Sequence, residues 1–121
     1  MSQHIPIETD DNHNRNLSQI VRNPKLIGID GVVLSAKEVN LIMPGTHQLI
    51  CQPDAMFITE DSELILAEYK YSRRGRRHAY HQLKRAEEFL MRYHIPIMMS
   101  MHNVNKKIFV YGNKPHFEDM S

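Results

Sequence analysis

A chain of 121 residues, 41% of them hydrophobic, can bury one core and not two. No apolar run approaches the roughly 20 residues that span a bilayer, and residues 1–10 lack the charged and apolar regions of a signal peptide. Cys51 is the only cysteine, so there is no intrachain disulfide, and no Cys/His group has zinc-site spacing. These features predict a single cytoplasmic domain that contacts no membrane, with any metal held by oxygen.

The net charge of +1 hides an asymmetry. Residues 1–69 carry ten Asp/Glu against four Lys/Arg, whereas residues 70–121 carry eleven Lys/Arg against four Asp/Glu. Residues 70–92 alone hold eight basic residues and two acids, Glu87 and Glu88. That concentration of positive charge suits a polyanion, and equally a solvated helix face.

Residues 1–16, with the polar run TDDNHNRN, read as a loose arm leading into a short helix over 17–22. KLIGIDGVVLS (25–35) is rich in β-branched residues and predicts a strand with a bend at Asp30 and Gly31. EVNLIM (38–43) is a second short strand, and PGTH (44–47) a turn into a strand over 48–59. ELILAEYKY (63–71) is the next strand. After the arginine-rich SRRGRR, residues 77–93 place Ala79, Tyr80, Leu83, Ala86, Phe89, Leu90 and Tyr93 three and four residues apart, the stripe of an amphipathic helix packed on a sheet. HIPIMMSM (94–101) and KKIFVYG (106–112) read as two more strands, with Met98, Met99 and Met101 in the core. Residues 113–121 read as a tail. Strands, one strong helix, then strands predict a small α/β or α+β fold with a mixed sheet.

PDAMFITEDSELILAEYKYS (53–72) is the informative stretch. If strands 53–59 and 63–71 form a hairpin centred on Asp61, facing residues have numbers summing to 122, and Asp54 faces Glu68. Lys70 then shares the Glu68 face with Leu64 and Leu66, while Ile65, Ala67 and Tyr69 occupy the other. A one-residue slip would dissolve the cluster. Apolar residues on both faces predict a strand buried on both sides, which disfavours an exposed hairpin with a mere Glu68–Lys70 ion pair. Two facing carboxylates repel, and Lys70 or a divalent cation can offset that repulsion. Mg²⁺ is typically held by one or two carboxylates, with water and phosphate oxygens completing its shell.

Pro53-Asp54, a strand and turn, then Glu68-Tyr69-Lys70 resembles the PD-(D/E)XK nuclease superfamily, in which Pro-Asp is followed by Asp/Glu-X-Lys on the next strand. LILAEYKYS and the following helix with YHQL are similar to the Holliday-junction resolvase and RecB-like branches. The resemblance implies an α/β, restriction-endonuclease-like mixed sheet flanked by helices. It implies Mg²⁺- or Mn²⁺-dependent hydrolysis of phosphodiester bonds in duplex or branched DNA, by a homodimer. Asp54 and Glu68 would be metal ligands with the backbone carbonyl of Tyr69, and Lys70 the catalytic lysine. Many members carry another acid on the first helix. Glu8 and Glu38 are the candidates here, each more simply a surface residue. RecB-like members often show Gln-X-X-X-Tyr after the lysine, whereas here Gln82 is followed by Ala86, so only the glutamine matches.

Arg73, Arg74, Arg76 and Arg77 around Gly75 read as a flexible cationic loop that grips phosphates without reading sequence. His78 and His81, three apart on the helix, fit a solvated or DNA-facing role better than a ligand pair, and His94, His102 and His116 are scattered. Two other readings stay open at this level: a nucleic-acid-binding module without catalysis, and an accessory subunit whose charges serve protein contacts.

Overall fold

The computed structural model describes residues 4–93 and 104–121, with side chains from residue 12 onward. In chain order the elements are helix α1 (His4–Arg22), a 3₁₀ turn (Pro24–Ile27), and strands β1 (Val32–Lys37), β2 (Leu41–Ile42), β3 (Leu49–Cys51), β4 (Ala55–Thr59) and β5 (Leu64–Lys70). A short 3₁₀ turn (Arg73–Gly75) leads into helix α2 (Arg76–Arg92), followed by β6 (Lys106–Tyr111) and β7 (His116–Asp119). The strand expected over 94–101, with Met98, Met99 and Met101, lies outside the described residues.

Five strands form one mixed sheet in the order β1-β4-β5-β6-β7; β5 and β6 are parallel and the other pairs antiparallel. β2 and β3 form a separate small hairpin. A single strand over 48–59 is therefore not formed. Pro53 has no N–H to give a ladder, and the chain breaks there into β3 and β4.

β5 is the middle strand, and its sequence explains why. Leu64 and Leu66 face α2 and pack with Ala79, Leu83, Ala86, Leu90 and Phe109. Ile65, Ala67 and Tyr69 face the other way and pack with Leu17 and Ile20 of α1 and with Phe57, Ile108 and Val110. The sheet thus carries one helix on each face, a mixed α/β architecture. Burying a side chain such as Leu66 is worth about 1.5–3 kcal/mol, so a run apolar on both faces is driven to the centre.

The β4–β5 register follows the hairpin reading: Ala55 pairs with Ala67, Met56 with Leu66, Phe57 with Ile65 and Ile58 with Leu64. The turn fixes it. Thr59 N–H donates to the Glu63 carbonyl at 3.0 Å, Ser62 N–H to the Thr59 carbonyl at 2.9 Å, and Glu63 N–H to Thr59 Oγ1 at 3.1 Å. Ser62 takes the left-handed conformation the tight turn needs, with φ +63°.

Both expected arms are ordered elements instead. Residues 4–16 continue α1 rather than forming a loose lead-in. Leu17 and Ile20 anchor the helix on the sheet, and once a helix is anchored each added residue gains a hydrogen bond, so a polar run can extend it. Asn16 adds a tie by donating from Nδ2 to Tyr69 Oη at 2.8 Å. At the other end, β6 would expose an unpaired edge, and residues of the supposed tail pair with it as β7. The connecting turn uses Gly112 at φ +86°. Among the described residues no helix is long and apolar enough to cross a membrane.

Candidate active site

The hairpin register brings Asp54, just before β4, level with Glu68 near the end of β5. Two hydrogen bonds lock the pair. Asp54 N–H donates to Glu68 Oε1 at 3.1 Å, and Tyr69 N–H donates to Asp54 Oδ2 at 2.8 Å. The Asp54 carbonyl in turn accepts from Glu38 N–H at 2.8 Å, tying the acid to the end of β1. Glu68 is only 1% exposed.

A cleft of about 230 Å³ opens here, lined by His13, Asp54, Glu68, Tyr69, Lys70, Tyr71 and Gln82. It lies at the carboxyl end of the two parallel strands, between residues of both helices, which is where open α/β sheets commonly bind ligands. A second cleft of about 220 Å³, lined by residues including His78, Gln82 and Arg85, meets the first at Glu68 and Gln82. Gln82 Oε1 is buried without a hydrogen-bond partner among the described residues. A buried acceptor in that state favours a donor that arrives with a ligand or water.

The electrostatics separate the two acids. Burial pushes Glu68 up, the adjacent Asp54 charge adds to it, and the carboxyl reaches about 9, so at neutral pH it is a protonated acid. Burial also acts on Asp54, but hydrogen bonds from His13, Glu68 and Tyr69 N–H outweigh it and hold that carboxyl below its usual range. The hydrogen bond to Asp54 raises His13, against the opposing effect of its burial. The two neighbouring carboxyls, which would repel if both were ionised, are thus driven apart in proton affinity, Asp54 downward and Glu68 upward.

His13 was not legible as a site residue, because it lies in the polar run read as a loose arm. Its Nε2 is 3.4 Å from Asp54 Oδ2, and its ring meets the Tyr69 ring edge-on at 5.3 Å between centroids. The available signal was slight: His13, Leu17 and Ile20 are spaced four and three apart, one face of a helix. Of the two acids considered on the first helix or nearby, Glu8 has no described side chain. Glu38 is exposed, at φ +56°, and contributes its N–H to Asp54.

Lys70 ends β5 and lines the cleft, and the chain needs glycine next to it. A Cβ at Gly75 would lie 2.6 Å from Lys70 Cγ and 2.7 Å from Lys70 Cβ. Those atoms are at the root of the lysine and cannot swing away freely. Gly75→Ala should therefore cost about 1–3 kcal/mol in chemical denaturation and displace Lys70; an unchanged denaturation midpoint would contradict the packing.

The four arginines do not form a flexible loop. Arg73 and Arg74 sit in the 3₁₀ turn, where Arg74 N–H donates to Ser72 Oγ at 3.3 Å, and Arg76 and Arg77 open α2. The local hydrogen bonding of the turn and helix orders the segment. All four side chains are exposed on the same end of the molecule as Lys70. His78 and His81 are exposed on α2, and His94 and His102 lie outside the described residues.

The donor set suits a hard divalent cation. Two carboxylates converge, and the carbonyl of Tyr69 belongs to the residue between Glu68 and Lys70. Among the described residues no group of three or more His, Cys, Asp or Glu side chains could hold a metal. Zinc-like sites need such a group, whereas Mg²⁺ accepts two carboxylates with water and phosphate oxygens. A cation between the two carboxyls would relieve the same repulsion. Compared with known proteins, the chain matches no family model and no curated sequence.

Proposed function

We propose that this chain is a PD-(D/E)XK-type deoxyribonuclease on a restriction-endonuclease-like fold, using Mg²⁺ or Mn²⁺ to hydrolyse phosphodiester bonds in duplex or branched DNA. The observation that carries the reading is the pair of buried Glu68 and half-buried Asp54, locked by backbone hydrogen bonds, in one cleft with Lys70. A mixed sheet with a helix on each face supports the fold assignment.

Asp54 and Glu68, with the Tyr69 carbonyl, would hold the cation. When bound, such an ion polarises a phosphodiester and makes water a better nucleophile at neutral pH. The protein's own part is placement and charge. His13 and the Tyr69 N–H fix the Asp54 carboxylate. Lys70 brings an ammonium to the cleft, where it stabilises negative charge developing on the phosphoryl oxygens. The exposed arginines grip neighbouring phosphates and position the strand without reading its sequence. A homodimer would present two such sites to the two strands of a duplex or junction.

The test is incubation of the purified protein with linear duplex, single-stranded and four-way-junction DNA in Mg²⁺, Mn²⁺ or EDTA. Cutting in either metal and none in EDTA is the expected outcome. Binding in EDTA without cutting in any metal would replace the enzyme by a binding module.

A further inference from the structure

Arg73 and Arg76 are tied to one carboxylate in the same way. Arg73 Nε donates to Glu118 Oε2 at 3.2 Å, and Arg76 Nε donates to Glu118 Oε1 at 2.9 Å. The two arginine side chains are nevertheless 66% and 48% exposed. An arginine anchored through Nε keeps its terminal amino groups available, and these carry four of its five donors. Glu118 itself stands on β7, paired with Phe109 of β6, so the anchor is part of the sheet. Between the two arginines in sequence lies Gly75, packed against the root of Lys70. The fork is therefore built on the wall that also holds the lysine of the cleft.

We propose that Glu118 is a positioning residue that fixes Arg73 and Arg76 as a preformed fork for a nucleic-acid backbone phosphate beside the cleft. This rests on the reading of the ligand as nucleic acid. The fork divides the cationic segment into two held arginines and two, Arg74 and Arg77, with no carboxylate partner among the described residues. Ordering an arginine on binding is costly, and a side chain ordered beforehand avoids that cost.

Charge counting and preorganisation give opposite signs for one substitution. Removing the Glu118 charge makes the surface more positive, and a purely electrostatic surface would then bind a polyanion more tightly. A fork held by Glu118 would bind it less tightly, most visibly at salt concentrations where unpaired charges are screened.

The experiment measures binding in EDTA, so that cleavage plays no part, with labelled duplex DNA and with inorganic tripolyphosphate as a small polyanion. Wild type, Glu118→Gln, the Arg73→Ala Arg76→Ala double variant and the triple variant are compared from about 0.05 to about 0.3 M salt. Glu118→Gln is expected to bind DNA about three- to tenfold more weakly near physiological salt, with a smaller loss at low salt. In the background lacking both arginines it should have no such effect. Unfolding curves check that the exposed pairing leaves the fold unchanged.

Equal or tighter DNA binding by Glu118→Gln at every salt concentration overturns the fork and leaves the nucleic-acid reading standing. The same weakening in the double-variant background also overturns it. Wild type that binds tripolyphosphate in a Glu118-dependent way but not DNA supports the fork and overturns nucleic acid as its ligand. Wild type that binds neither probe overturns both.

Discussion

Lys70→Ala is expected to lower metal-dependent cleavage by about 10²–10³-fold while changing DNA affinity in EDTA far less. The reason is that the ammonium acts on charge that appears only as the phosphodiester bond breaks. A group of that kind affects the chemical step more than the binding step. The exposed arginines still hold the strand when the lysine is gone. Lys70→Arg should rescue little, because a planar guanidinium differs in shape and hydration from a compact ammonium, and Gly75 packs directly against the lysine root. Lys107 provides the control: its Nζ pairs with Glu87 Oε1 at 2.9 Å on the α2 side, away from the cleft residues. Lys107→Ala should lose stability without a specific loss of cutting. Full activity in Lys70→Ala would remove the lysine from the mechanism.

Glu68→Gln should make the metal-free protein more stable above neutral pH and abolish metal-dependent cutting. In the folded chain burial raises Glu68 from 4.5 to about 9, while in the unfolded chain it ionises near its ordinary value. Between those two values the folded state holds a proton that the unfolded state has released. Stability therefore falls as pH rises through this window, by at most about 1.4 kcal/mol per pH unit from this group. His13 acts in the same direction above 6.5, since its raised folded value gives stability that is lost as the imidazole deprotonates. Asp54 is lowered, so its contribution is lost only at acid pH, below 3.8.

Glutamine at position 68 keeps the oxygen that accepts from Asp54 N–H and supplies an amide donor where the carboxyl proton stood. It has no titratable proton to release, so the Glu68 part of the decline from pH 5 to 9 should vanish in thermal or urea melts, leaving the smaller His13 contribution above 6.5. A wild type whose stability is flat across this range would contradict the protonated pair. Excess Mn²⁺ should restore the wild type at high pH, by about 2.7 kcal/mol at a hundredfold excess over Kd, and should do little for Glu68→Gln.

The carboxylate pair was legible in the sequence because two constraints converge on it. The TEDSE turn sets the register, and apolar residues on both faces of LILAEYK place the strand between two packed layers. The α2 stripe was equally readable, with Ala79, Leu83, Ala86 and Leu90 buried as the three- and four-residue spacing requires, although Tyr80 points outward. What was hidden depends on contacts far apart in the chain. His13 lies in a polar run whose helix is anchored by Leu17 and Ile20, and nothing local marks it as a partner of Asp54. Glu118 lies in a segment that becomes a strand only because β6 offers it an edge. Its grip on Arg73 and Arg76 spans more than 40 residues of sequence, with separations of 45 and 42. Local pattern carries no information about such pairs.

The most direct test of the account is Mn²⁺ binding by calorimetry, in wild type, Asp54→Asn and Glu68→Gln, at a fixed pH near 8. The result expected is one Mn²⁺ per chain in wild type, with proton release as Glu68 ionises, and a loss of binding in both variants. Failure of the wild type to bind Mn²⁺, or binding that survives both substitutions, would contradict a metal-carrying role for the Asp54–Glu68 pair.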